Sequence, residues 1–284
     1  MKPVKVTRIN LDHVFAHDRI LFNTNNHWVQ EKIPRPDDYE QKLNLGNTRN
    51  WIDLFHKDNY YKITLDESDL KWMNQAFVIG VQTGRFSHIY DDELNQICEK
   101  YGSKIPDGNY FIRTDAVSLK NGIHGIGPYN NFRKIIESMV TTSLGHECFK
   151  PEDKTCNIYF MKWLDINPDK EFRIFVYKNE ITAFSSQHLY NINNWLNTLT
   201  DEQISIIVNK IIKYFNENIR DKLSYMESYV MDLALVGEDE TPYFIEPNSF
   251  GKYYASGSSL YNWVYDHDTL HESDEIELRY VNEY

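Results

Sequence analysis

The chain contains little cysteine and no long apolar run. Its three cysteines, Cys98, Cys148 and Cys156, lack metal-ligand spacing and cannot all pair with one another, which favours a reducing compartment. No stretch approaches the length of a membrane span, and Met1-Lys2-Pro3-Val4-Lys5 lacks the apolar core of a signal peptide. We therefore expect a cytoplasmic protein with no membrane partner.

Basic residues are also scarce relative to acidic ones. The formal net charge is −12, which argues against broad non-specific binding to nucleic acid but leaves room for a local basic groove. Hydrophobic residues at 41% and charged residues at 25% are ordinary for a globular protein of 284 residues. The 20 Tyr and 15 Phe, accompanied by many Asn, Ile and Lys, suggest an AT-rich genome such as that of some viruses, and host cytoplasm would then be the location.

Residues 231–250, MDLALVGEDETPYFIEPNSF, have the pattern of a β-hairpin that carries oxygen donors. Apolar residues alternate on both sides of a loop-like connection, and a hairpin that is symmetric about Asp239 places Asp232 directly opposite Glu246. Asn248 then lies on the same face as Glu246, one step along the strand. Three oxygen-bearing side chains are thus predicted on one face of the hairpin.

Two carboxylates at that separation repel each other unless a cation lies between them or one is protonated. With the amide oxygen of Asn248, Asp232 and Glu246 form an all-oxygen set that suits Mg²⁺. A solvated hairpin face is the alternative, and the neighbouring Val230, Ala234 and Phe244 argue against it. The spacing therefore favours a magnesium site.

A glycine-containing loop follows the predicted strand Tyr110-Phe111-Ile112, which delivers Arg113 at its end. The loop carries Lys120 and three glycines, and such a loop can approach phosphates through backbone N–H groups while the lysine supplies charge. It matches no P-loop, because the lysine precedes the glycines. A flexible surface loop is the competing interpretation.

Two further elements frame these residues. Residues 171–187 read as a second hairpin, in which Arg173 faces either solvent or a carboxylate, or else binds an anion. Residues 201–219 have a helical apolar stripe that begins at a Thr200–Gln203 capping box, and we expect this helix to cover the sheet. Residues 266–284 read as an acidic C-terminal tail.

Together these segments resemble the ATP-grasp superfamily. In that superfamily an Asp or Glu on one strand and a Glu-x-Asn on the next hold magnesium, and Asp232, Glu246 and Asn248 stand at the matching positions of the predicted hairpin. MKWLDINPDKEFRIFVYKNEITAFSSQ (161–187) and FIRTDAVSLKN (111–121) are similar to segments of the assembly chaperone family for translation initiation factor two. Arg113 stands where that family more often has Lys, and in this respect the chain resembles a related clade, named for two arginines and a lysine, that is predicted to contain RNA ligases.

The resemblance implies an α+β fold of the ATP-grasp type, in which two α+β lobes with antiparallel sheets enclose ATP. Arg113, Lys120 and Arg173 would hold the phosphates, and Arg173 and Lys120 would be catalytic. The hinge between the lobes, which reads the adenine, would consist of Met161, Lys162, Trp163 and Leu164. Gln187 and Lys252 would belong to an acceptor site.

The domain organisation follows from the same resemblance. We expect an N-terminal α/β region of unknown role (1–105), a first lobe with the phosphate loop and hinge (106–165), a second lobe with the metal-binding hairpin (166–265), and the acidic tail (266–284).

Several functions agree with these features. The principal hypothesis is an ATP- and magnesium-dependent ligase that acts on RNA ends, as in RNA repair. The alternatives are an ATP-binding assembly chaperone whose partner is a subunit of translation initiation factor two, an ATP-grasp ligase acting on a carboxylate, or a globular domain whose hairpin carboxylates are structural.

Overall fold

A computed structural model describes residues 2–18, 20–22, 34–254 and 256–283. The fold is mixed α and β. The helices are α1 (Leu11–His17), α2 (Tyr39–Leu45), α3 (Thr48–His56), α4 (Glu67–Thr83), α5 (Asp91–Tyr101), α6 (Phe132–Met139), α7 (Asp201–Asn218) and α8 (His267–His271). The strands are β1 (Val4–Asn10), β2 (Tyr60–Leu65), β3 (Tyr110–Thr114), β4 (Cys156–Lys162), β5 (Glu171–Tyr177), β6 (Glu180–Ser186), β7 (Tyr229–Val236), β8 (Thr241–Ser249) and β9 (Ile276–Asn282).

The chain divides into two compact units. Unit 1 comprises Met1–Gly46 and Ile166–Tyr284, and unit 2 comprises Asn47–Asp165. This agrees with the predicted α+β fold of two lobes. Among the described residues, none of the helices has both the length and the apolar character needed to cross a membrane.

Unit 2 is built on a three-stranded antiparallel sheet in the order β2-β4-β3. Helices α4, α5 and α6 supply side chains to one hydrophobic core with this sheet, including Leu70, Leu94, Ile112, Ile136 and Ile158. At the start of α4 the Asp66 carboxylate accepts hydrogen bonds from two backbone N–H groups, a capping arrangement that stabilises a helix end.

Unit 1 is built on a six-stranded sheet in the order β1-β9-β6-β5-β7-β8. Its β5–β6 and β7–β8 hairpins are antiparallel, and β5 pairs with β7 to join them. Strand β9 inserts between β1 and β6 and is parallel to both. The C-terminal strand thus completes a sheet that begins with the first strand of the chain.

The β7–β8 hairpin has the predicted register at its polar positions. Asp232 pairs directly with Glu246, and Val230 pairs with Asn248. The register shifts between Asp232 and Leu233, where a β-bulge interrupts the ladder. At the turn Gly237 has a φ of 72°, a left-handed conformation that glycine adopts without steric penalty.

Helix α7 forms as its apolar periodicity predicts. The Thr200 and Gln203 side chains make the predicted capping box, and the apolar stripe from Ile204 to Phe215 is buried. Arg8 of β1 pairs with Asp201 at the start of α7, and Lys210 donates to the Asp239 carbonyl in the β7–β8 turn. The helix therefore extends across the sheet from β1 to the β7–β8 turn.

The structure corrects parts of the predicted organisation. Residues 1–105 do not form a region of their own, because residues 1–46 belong to unit 1 and the rest to unit 2. Residues 266–284 are not a peripheral tail, because β9 lies inside the six-stranded sheet. Unit 2 ends at Asp165.

Candidate functional site

A row of polar side chains crosses one face of the unit 1 sheet. In register order it runs Arg279 (β9), Ser185 (β6), Arg173 (β5), Asp232 (β7) and Glu246 (β8). Paired residues on adjacent strands project to the same face, so these five side chains are neighbours. We call these five residues the polar row.

The centre of the polar row is a buried ion pair. Arg173 Nε donates to Asp232 Oδ1 at 2.9 Å and Nη2 donates to Oδ2 at 2.8 Å, while only 4% of Arg173 and 2% of Asp232 is exposed. Burial by itself lowers the pKa of Arg173, but the charge and hydrogen bonds of Asp232 outweigh it and the pKa is raised. Arg173 therefore faces a carboxylate, one of the two alternatives for a strand arginine, and it neutralises Asp232.

The predicted metal ligands lie together on the hairpin. Glu246 and Asn248 are half-buried on β8, and Asp232 is buried opposite Glu246 on β7. No three carboxylate, imidazole or thiolate side chains cluster to hold a metal within the described part of the chain. A magnesium ion here would depend on the Asn248 amide oxygen and on water or phosphate oxygens. This all-oxygen set fits magnesium, since a carboxylate that accepts a forked arginine retains further lone pairs.

The glycine-containing loop of unit 2 is held by hydrogen bonds within the unit. The N–H groups of residues 122–125 donate in turn to Leu119 O, Thr141 Oγ1, Ser138 Oγ and Gly122 O. These four N–H groups are therefore already hydrogen-bonded within the unit. They are not available to bind a phosphate, which was the predicted role of this loop. The exposed Lys120 on the preceding turn remains the predicted phosphate contact.

Arg113, predicted to hold phosphates, is buried on β3. Its guanidinium carbon lies 5.2 Å from the ring centre of Trp51 and 5.1 Å from that of Phe111, within the range of cation–π attraction. Only 3% of Arg113 is exposed. The sequence contained no signal that the Trp51 ring of α3 would lie beside this arginine.

The predicted hinge residues lie at the end of β4. Met161 is buried, Lys162 and Leu164 are exposed, and Trp163 is half-buried. The Trp163 N–H donates to Asn109 O at 2.9 Å, which continues the contact between β4 and the approach to β3. The unit boundary follows at residues 165/166.

The predicted acceptor residues both lie in unit 1. Gln187 directly follows β6, where its N–H donates to Glu171 O at 3.1 Å. Lys252 follows β8, and its Nζ lies 5.6 Å from the ring centre of Tyr253. Neither side chain belongs to the polar row.

A short segment that the sequence analysis missed covers the polar row. Ser258 O accepts a hydrogen bond from Arg173 Nη1 at 2.7 Å, and Leu260 O accepts one from Arg279 Nη1 at 3.1 Å. Ser185 Oγ accepts from Leu260 N at 3.0 Å. We call residues 256–260 the strap. Its small residues show no periodicity, so no local pattern predicts this contact.

Curated relatives match part of the chain. Proteins named translation initiation factor eIF2 assembly protein match at 28% identity over 56% of the chain in Vanderwaltozyma polyspora, at 25% over 60% in Kluyveromyces lactis, and at 23% over 71% in Lodderomyces elongisporus. The alignments cover 44%, 48% and 56% of those relatives, so the chain spans about half of their length.

Solved structures show the same fold. The C-terminally truncated Cdc123 from Schizosaccharomyces pombe superimposes with a TM-score of 0.58 at 15% identity, covering 86% of this chain and 97% of that one. A second structure of Cdc123 from the same organism gives a TM-score of 0.55 at 13% identity over the same shares of the two chains.

These relatives overturn the principal hypothesis from the sequence. The prediction of an ATP-dependent ligase acting on RNA ends is wrong, and with it the RNA-repair and viral interpretations, because the matched proteins are eIF2 assembly proteins. Arg113 carries the same charge as the lysine that is more usual at this position, so it does not argue for the ligase clade. Membership is shown by the family comparison: D123 matches residues 136–284, more than half of the chain, and the chain belongs to the D123 family.

Proposed function

We propose that this protein is an assembly factor that binds a subunit of translation initiation factor eIF2. The observation that carries the proposal is the D123 match over residues 136–284, together with curated relatives named as eIF2 assembly proteins. The matched region includes β5 to β9 and therefore the whole polar row.

We propose further that the assembly factor binds ATP with Mg²⁺. The support is the donor set on one face of the hairpin, where Asp232 and Glu246 are paired and Asn248 is the next residue on that face. Mg²⁺ takes oxygen ligands and usually completes its shell with water and phosphate oxygens. The nucleotide contacts that the sequence predicts at Arg113, Lys120 and residues 161–164 stay predictions.

An assembly factor requires no acceptor chemistry. The acceptor role predicted for Gln187 and Lys252 and the catalytic role predicted for Arg173 and Lys120 belonged to the ligase hypothesis, which the relatives contradict. In the proposed function a bound nucleotide would stabilise the form of the protein that receives the partner, because a ligand stabilises the state to which it binds.

Partner binding is tested by capture. The immobilised full chain is incubated with each separately purified eIF2 subunit, with and without ATP and Mg²⁺, and bound protein is quantified. We expect one subunit to be retained and the others to be washed away. Retention of none of them by folded protein contradicts the assembly function.

Nucleotide binding is tested on the hairpin itself. Glu246→Gln removes one proposed metal ligand, and we expect the Mg²⁺ concentration for half-maximal binding of a fluorescent ATP analogue to rise about tenfold or more. Asp239→Asn is the matched control, because it removes a carboxylate from the exposed turn of the same hairpin. Equal Mg²⁺ dependence of the two variants contradicts the metal assignment.

A further inference from the structure

Each of the three nitrogens of the Arg173 guanidinium donates a hydrogen bond within unit 1. Two of its nitrogens hold both oxygens of Asp232, and the third donates to Ser258 O of the strap. A planar guanidinium that binds a carboxylate through two parallel bonds fixes the plane of that carboxylate. Arg173 therefore determines the orientation of Asp232.

Gly257 brings the strap into direct contact with this guanidinium. A Cβ atom at position 257 would lie 1.8 Å from Arg173 Nη1 and 2.2 Å from Cζ. Gly257 also has a φ of +95°, in the region that side chains disfavour. Backbone atoms thus lie where a phosphate would have to be placed to reach Arg173 from that side.

The strap is held by contacts that do not involve Arg173. Leu260 is bonded through both its N–H and its carbonyl, to Ser185 and Arg279 respectively. The next residue, Tyr261, donates to Glu277 O at 2.8 Å and lies under the Arg279 guanidinium at 4.1 Å. The strap is therefore attached to β6 and β9 independently of the ion pair that it covers.

We infer that Arg173 is a positioning residue, which orients the Asp232 carboxylate for Mg²⁺ and does not contact the nucleotide. The inference rests on the proposed Mg²⁺–ATP function and revises the phosphate contact that the sequence predicted. Gly257 has a part in the same arrangement, since it permits the strap to close over the guanidinium. Groups that orient metal ligands typically change metal affinity 10- to 100-fold when they are removed.

The test uses a substitution that retains the charge. Arg173→Lys retains the positive charge but removes the planar fork, so the local field changes little while the orientation of Asp232 is lost. Binding of a fluorescent ATP analogue to the full chain is measured across a wide range of Mg²⁺ concentration. We expect the half-maximal Mg²⁺ concentration to rise about 10- to 100-fold, with wild-type nucleotide affinity restored at saturating Mg²⁺.

A direct phosphate contact gives a different result. Affinity for the nucleotide would then stay low at every Mg²⁺ concentration, and that outcome overturns the inference while leaving the proposed function intact. Absence of nucleotide binding by the wild-type chain at any Mg²⁺ concentration overturns both. The two failures are therefore distinguishable.

Arg279→Lys is the matched control. It alters an arginine of the same row that binds the strap but makes no hydrogen bond to Asp232. We expect its Mg²⁺ dependence to stay within about twofold of wild type. A shift as large as that of Arg173→Lys would mean that loosening of the strap causes the effect, and it overturns the inference.

A second variant disturbs the Arg173–Asp232 ion pair without substituting either of its residues. Gly257→Ala places a methyl group against the guanidinium and displaces it from Asp232, so the Mg²⁺ requirement should rise in the same direction. Gly237→Ala is its control, since Gly237 also has positive φ but a Cβ there meets no atom within 4 Å. An unchanged Mg²⁺ requirement in folded Gly257→Ala protein contradicts the positioning role.

Discussion

Two buried strand arginines, one in each unit, lie beside different kinds of side chain. Arg173 of unit 1 is 4% exposed and forms a forked ion pair with Asp232. Arg113 of unit 2 is 3% exposed and lies over the rings of Trp51 and Phe111. The resemblance to the ATP-grasp superfamily implied the same phosphate-binding role for both.

The comparison shows that burial of an arginine does not by itself specify a function. An ion pair in the interior balances one full charge with another, so removal of either partner leaves the other buried and uncompensated. An aromatic ring attracts a cation through its quadrupole, which is a weaker interaction than that between two full charges. Removal of one partner of the Arg173–Asp232 pair should therefore cost more than removal of one ring beside Arg113.

The largest expected effect is that of Arg173→Met. We expect a loss of about 3–5 kcal/mol in the free energy of unfolding, because Asp232 remains buried without its counter-charge. Urea denaturation at neutral pH, followed by circular dichroism, measures it. The double variant Arg173→Met/Asp232→Leu removes both charges and should recover much of the loss. A double variant as unstable as the single one contradicts this account.

Gly257→Ala should have the next largest effect on stability. Its methyl group collides with Arg173, whereas Gly237→Ala adds only the strain of a positive φ. We expect the first to be less stable than the second by about 1–3 kcal/mol, the usual range for overpacking. Thermal unfolding of the two proteins side by side measures the difference, and equal midpoints would contradict a strap pressed against the guanidinium.

Phe111→Leu, which removes one of the two rings beside Arg113 in unit 2, should cost less. Loss of this cation–π contact is expected to reduce the free energy of unfolding by about 1–2 kcal/mol. A double-mutant cycle with Arg113→Met isolates the coupling between the arginine and the ring. A coupling energy near zero would contradict a contribution of the ring to holding Arg113.

The smallest expected effect on stability is that of Glu277, whose carboxylate accepts a hydrogen bond from Arg279 of the polar row. Burial raises the pKa of Glu277, but hydrogen bonds from Arg279 and Thr7 outweigh it and the pKa falls below its ordinary value of 4.5. A carboxyl group whose pKa is lowered by folding stabilises the fold at pH values above its ordinary pKa. This stabilisation is lost as the pH falls through the folded-state pKa.

Glu277→Gln should therefore flatten the dependence of stability on pH below about 4.5. Unfolding free energies of wild type and variant at several acidic pH values measure the change, with neutral pH as the reference. Parallel pH profiles would show that Glu277 contributes nothing to acid sensitivity.

Local patterns predicted much of the fold and part of the candidate site. The alternation along residues 229–248 and the loop around Asp239 correctly predicted that Asp232 faces Glu246, because a short connection constrains the register of its two strands. The 3.6-residue period from Ile204 to Phe215 predicted α7 and its buried stripe for the same local reason. The magnesium and nucleotide assignments on these elements stay predictions.

Interactions between distant segments were decided by the tertiary structure alone. The insertion of β9 between β1 and β6 joins residues more than 90 positions apart, and hydrophobic alternation cannot select the partner of a strand. The strap over Arg173 arises in the same way, from backbone groups whose hydrogen bonds depend on what the fold brings near. Sequence periodicity thus determined which residues share a face, whereas packing between remote segments decided which charges are paired and which are covered.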